Sequence, residues 1–128
     1  MTSNTLLVIV ALLVGCATPL TPEQKALRDS VIGVYEKDTV KLYFWEDGKA
    51  EAFVNGVKAW TRRWSIRFVE GEVLIFEDTG WDYYEAEAHR INKDGSITWV
   101  ASIRKGKRIE RLKDRQSTYQ KNNIPHLP

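Results

Sequence analysis

The chain has 128 residues and a formal net charge of +2. That leaves room for one small domain and too little excess charge to imply bulk attraction to nucleic acid. Five Trp, five Tyr and four Phe exclude a disordered chain. One cysteine, Cys16, and two histidines, His89 and His126, exclude an internal disulfide or a Cys/His zinc centre within one chain, so no metal or cofactor is expected.

The N-terminus comes first. Leu6 to Val14 is an unbroken apolar run. It is about half the roughly 20 residues that span a bilayer as a helix, and it has the length of a secretory h-region. It ends in Leu13-Val14-Gly15-Cys16. This tetrapeptide resembles the lipobox of bacterial lipoprotein precursors. Met1 to Thr5 departs from the pattern in having no Lys or Arg.

The resemblance implies a signal peptide over 1–15 and a lipidated tether over 16–21. It implies a diacylglyceryl thioether on Cys16 that holds the mature chain on a lipid membrane. Two or more acyl chains anchor stably where one does not. Ala17 after the cysteine implies an outer-membrane destination in the bacterial cell envelope, facing the periplasm.

Thr21-Pro22-Glu23-Gln24 then reads as a helix start. Thr21 can cap, Pro22 suits the first helical position, and Gln24 can complete a capping box. The helix is expected from Pro22 to about Ser30, with Leu27 and Val31 on one face.

From Val31 onward, strands alternate with turn signals at Lys37-Asp38, Asp47-Gly48, Asn55-Gly56, Glu70-Gly71, Thr79-Gly80, Asp94-Gly95 and Lys105-Gly106. Asn-Gly and Asp-Gly favour hairpins because a type I′ turn needs positive φ at both central residues. The expected strands are Ile32–Glu36, Val40–Glu46, Lys49–Asn55, Val57–Phe68, Glu72–Glu77, Trp81–Ile91, Ser96–Arg104 and Lys107–Leu112. A short polar helix is expected over Lys113–Lys121 and a flexible tail over 122–128. The fold class is all-β: a small antiparallel up-and-down meander or barrel of about eight strands, with short N- and C-terminal helices and one domain over 22–121. A domain that opens Ile32-Gly33-Val34-Tyr35-Glu36 after a lipobox, with repeated Asn-Gly and Asp-Gly hairpins, resembles the lipocalin-like modules of envelope lipoproteins.

Alternation assigns the faces. Ile97, Trp99, Ala101 and Ile103 share one face of the seventh strand. In the sixth, Tyr84, Ala86 and Ala88 oppose Tyr83, Glu85, Glu87 and His89. Val40 to Trp45 is apolar on both faces, which demands a covering helix or an exposed aromatic patch.

Three clusters are candidate sites. Trp64, Tyr84, Ala86, Ala88 and Trp99 would line a ligand cavity, if small residues leave space rather than offset bulky neighbours in a filled core. Arg104, Lys105, Lys107, Arg108 and Arg111 would form a partner-binding surface for an envelope protein or cell-wall component, or simply a solvated face. Glu85, Glu87 and His89, near Asp82 and Glu77, have the residue types of acid–base chemistry but the spacing of a solvated strand face. There is no nucleophile motif or phosphate loop, so no catalytic residue is assigned and no enzyme is expected. The expected role is a membrane-anchored, non-catalytic binding or structural module. The alternative is a lipocalin-like carrier of a small apolar ligand.

Overall fold

The computed structural model describes residues 19–122. The expected signal peptide, the lipobox-like tetrapeptide with Cys16, and 123–128 of the expected tail lie outside the described residues. Among the described residues, no helix is long and apolar enough to cross a membrane.

Helix α1 (Pro22–Val31) begins as its sequence dictates. The Thr21 side chain accepts the Gln24 amide at 3.1 Å, and the Gln24 side chain accepts the Thr21 amide at 3.0 Å. Val31 is buried among the core residues.

Nine strands follow: β1 (Gly33–Lys37), β2 (Val40–Phe44), β3 (Lys49–Val54), β4 (Val57–Val69), β5 (Glu72–Asp78), β6 (Ala86–Ile91), β7 (Ile97–Arg104), β8 (Lys107–Glu110) and β9 (Ser117–Asn122). Strands β1 to β7 pair in chain order. β9 pairs with both β7 and β1, so eight antiparallel strands close into a barrel. Closure satisfies the backbone groups that an open sheet would leave at its edges. The turns at Asn55-Gly56, Glu70-Gly71 and Lys105-Gly106 each hold two positive-φ residues, the geometry that a tight hairpin demands.

The C-terminus differs from expectation. Instead of a helix over Lys113–Lys121, there is a 3-10 turn (Lys113–Arg115) followed by β9, which includes Asn122 from the expected tail. The reason is that β1 and β7 would otherwise present open edges. β9 pairs Tyr35 with Lys121 and Ile97 with Tyr119, and tertiary pairing overrides local polarity. β8 and β9 both run along the same edge of β7. They are two parts of one edge, interrupted by the excursion Leu112–Gln116.

Lys121 fastens this seam. Its Nζ donates to the Ser30 carbonyl at 2.5 Å, near the end of α1, where a cation is favourable. Its Cε lies 3.0 Å from where a Cβ on Gly33 would stand, and Gly33 has φ +146°, a backbone angle that favours glycine.

The main core holds Tyr35, Leu42, Phe44, Ala50, Ala52, Trp64, Ile75 and Ile97. Phe44 stands edge-on to Tyr35 at 5.5 Å and to Trp64 at 5.6 Å, a geometry favourable beyond area burial. Tyr43, Trp45 and Phe53 form a separate half-buried cluster, with Tyr43 stacked on Trp45 at 6.0 Å. The second strand's two apolar faces thus serve the core and this cluster.

Candidate functional site

Two concavities bring chemistry-bearing residues together. The first is in the barrel interior, with a volume of about 170 Å³, and is lined in part by Trp60, Arg62, Glu77, Glu87, His89 and Trp99. The second, about 460 Å³, lies on the other side of the wall. It takes Arg67 and Val69 from β4, Leu74 and Phe76 from β5, Trp81–Tyr84 from the following loop, and Ile103, Gly106 and Arg108 from the β7–β8 hairpin.

A bulge decides which residues reach which concavity. Between β6 and β7, Ala88 faces Ala101 while His89 faces Trp99, so Val100 is the extra residue. The expected shared face of Ile97, Trp99, Ala101 and Ile103 therefore breaks. Ile97 and Trp99 point inward, whereas Ala101 joins Leu74, Ala88 and Val100 in a second buried cluster and Ile103 lines the outer groove.

The interior cavity sets internally paired polar groups among apolar Val40, Leu42, Ala52 and Val54. Glu77 is completely buried and accepts from Arg62 at 3.1 Å. Its other oxygen lies 2.8 Å from His89 Nδ1, without hydrogen-bond alignment and with no further partner for either atom. Glu87 accepts from Trp99 Nε1 at 2.9 Å, Ser102 Oγ at 2.6 Å and Arg104 Nη2 at 2.7 Å. The Arg62 guanidinium lies 3.8 Å from the centre of the Trp60 ring. Burial, and then the nearby Glu77 charge, push the Tyr119 hydroxyl above the usual phenol range against the opposing Arg111. Glu87 and His89 are thus buried rather than on a solvated face. Glu85 stands apart, in the loop before β6 and against Gly80.

The outer groove is aromatic, with a cation held between rings. Arg67 lies 4.6 Å from the Tyr83 ring and 5.5 Å from the Phe76 ring. Among the described residues it forms no carboxylate ion pair. Trp81 is 81 % exposed and Tyr84 54 %.

The expected strand from Trp81 begins only at Ala86. Asp78 accepts from the Gly80 amide and from Arg63, both at 3.1 Å, which turns the chain. Asp82 and Tyr83 both adopt left-handed φ, at +51° and +63°. That is a costly conformation for a tyrosine, and it is found where structure holds a loop for a purpose. The Gly106 amide donates to the Tyr84 carbonyl at 2.8 Å and locks the loop to the hairpin tip.

The five residues expected to line a cavity do not share one. Trp99 lines the interior cavity and Trp64 is core, its Nε1 donating to the Trp45 carbonyl at 2.9 Å. Ala86 and Ala88 are buried on the opposite side of β6 from Glu87 and His89. Tyr84 lines the outer groove.

Three of the five basic candidates are engaged. Arg104 pairs with Glu87, Arg108 with Glu72 and Glu110, and Arg111 stacks 3.5 Å over Trp99 while donating to the Arg115 carbonyl. Lys105 and Lys107 are exposed at the hairpin tip. The sequence offers Arg67 only as one of a fourth-strand basic set with Lys58, Arg62 and Arg63, and it does not mark Trp81 as a site residue. The available signal for Trp81 was an aromatic directly after a Thr-Gly turn. Comparison with protein-family models, curated proteins and solved structures finds no match.

Proposed function

We infer that this chain is a lipid-anchored envelope protein whose barrel is a non-catalytic binding module, with the outer groove as its contact surface. The observation that carries the binding part is the groove itself, with Trp81 81 % exposed at its rim and Arg67 without a carboxylate partner among the described residues. Trp, Tyr and Arg are the residues that dominate binding energy at interfaces. The strained Asp82–Tyr83 loop holds them in place. The complementary partner is an envelope protein segment offering an apolar side chain and a carboxylate.

Carriage of a small apolar ligand has less support. The interior cavity carries Arg62, Glu77, Glu87 and His89 within an otherwise apolar lining, and its roughly 170 Å³ falls below the ~300 Å³ at which ligand pockets usually begin. The non-catalytic reading draws on the same pairing, since Glu77 and Glu87 are already engaged by arginines.

A photo-crosslinking amino acid placed at Trp81 in the full chain, in its own host, tests the groove. A discrete protein adduct at Trp81 that is missing at the equally open Val57 is expected. No adduct, or the same adducts at both positions, refutes the groove. For the anchor, Cys16→Ala is expected to abolish lipid labelling and release the protein from the membrane. Unchanged retention overturns that part alone.

A further inference from the structure

β8 ends the sheet. Among the described residues it pairs with β7 on one side and with no strand on the other. Its hairpin register places Lys107 opposite Arg104 and Ile109 opposite Ser102 across a two-residue turn. In such a hairpin the backbone groups of residues 107 and 109 bond inward, and those of Arg108 and Glu110 point to the open edge. Four unpaired backbone groups on an exposed edge are a template for another strand.

We propose that the β8 edge pairs with the same edge of a second copy of this chain, about a two-fold axis at Ile109. Strands related by such an axis must meet with the same residue on the axis, so only a few registers exist. Centring on Arg108 sets arginine against arginine, and centring on Glu110 sets glutamate against glutamate. Centring on Ile109 places Arg108 of each copy opposite Glu110 of the other, so the Arg108–Glu110 pair that each strand already holds would join its symmetry mate in an alternating four-charge array. It also brings the outward N–H and C=O groups of those residues into two hydrogen-bonded pairs. Opposite charges across a strand pair stabilise it and like charges oppose it. Lys107 would face Arg111 of the second copy, but the Arg111 guanidinium is drawn onto the Trp99 ring and the Arg115 carbonyl. Ile109, 54 % exposed, would be covered by its symmetry mate. This pairing stands independently of the groove reading, since it uses the edge of β8 and not the loop at Trp81.

The Ile109 pair would not be hydrogen-bonded, the closest kind of cross-strand neighbour, with Cβ atoms about 4.5 Å apart and within reach of a disulfide. The test is the full chain carrying Cys16→Ala and Ile109→Cys, so that residue 109 supplies its one thiol, mildly oxidised and resolved by non-reducing electrophoresis. A covalent dimer is expected, with Cys16→Ala alone and Cys16→Ala with Val57→Cys remaining monomeric. Adding Glu110→Arg is expected to lower the dimer yield several-fold, and adding Arg108→Glu to that variant to restore it. A monomeric but folded Ile109→Cys protein overturns the pairing. So does equal cross-linking from Val57→Cys. If Glu110→Arg leaves the yield unchanged, the register is overturned.

Discussion

Glu77 Oε2 lies 2.8 Å from His89 Nδ1 in the barrel interior, where both side chains are 5 % exposed or less. Neither atom has a hydrogen-bond partner. Arg62 holds the second carboxylate oxygen at 3.1 Å. The interior thus carries three polar side chains in one contiguous set where an apolar core would have sufficed, and its members stand or fall together.

Glu77→Ala removes the only carboxylate between Arg62 and His89. It is expected to lower unfolding stability by about 3 kcal/mol, because a charge taken out of water loses its partner. The comparison is Arg63→Ala, which breaks the Asp78 pair at a side chain 67 % exposed. Solvent already screens that pair, so its urea midpoint is expected to move little. Equal shifts in the two variants would show that the interior set contributes no more than a surface contact.

Acid should weaken the groove loop. Burial raises the Asp78 carboxyl pKa, but the Arg63 hydrogen bond, the Gly80 and Tyr83 amides and the Arg63 charge outweigh it, leaving the group below the usual range. A carboxyl depressed on folding contributes stability that is present above its unfolded pKa of about 3.9 and is lost as pH falls through the folded value. Urea unfolding from pH 7 down to pH 3 is expected to show a shallower loss for Asp78→Asn than for the parent. An identical slope would remove Asp78 from the acid response.

Alkali should act on the core. The Tyr35 hydroxyl donates to the Val31 carbonyl at 2.8 Å, and burial pushes its pKa well above the usual phenol range. A phenol raised on folding contributes stability that is complete below its unfolded pKa of about 10 and declines as pH rises towards the folded value. Tyr35→Phe is expected to be less stable at neutral pH by roughly 1 kcal/mol, from the lost hydrogen bond. It is also expected to lose less stability than the parent between pH 9 and about pH 11. A parallel decline in both proteins would place the alkaline sensitivity elsewhere.

The hairpins were legible because Asn55-Gly56 and Lys105-Gly106 encode backbone angles locally, and the start of α1 because Thr21 and Gln24 sit in a three-residue frame. The site was less legible for two reasons. The Val100 bulge shifts register by one residue, which moves Ala101 and Ile103 to the other side of the wall. Nothing in the local pattern of Ile97 to Arg104 marks it. The second reason is long-range pairing. Ser117 to Asn122 is polar and reads as helix or tail until β1 and β7 supply an edge on each side. Glu87 and His89 read as a solvated face because alternation reports that two faces exist, and partners such as Arg104, Trp99 and Glu77 decide which one is interior.

The seam between β1 and β9 also orders events in time. Asn122 donates to Glu36 across 86 residues of chain, and every other barrel pairing except β7–β9 joins strands adjacent in sequence. The hairpins can therefore assemble one after another at small entropic cost, while the final joint must wait for the end of the chain. Before that joint forms, the sheet exposes both edges and its apolar face, so closing the seam between β1 and β9 is the step that ends its exposure to aggregation.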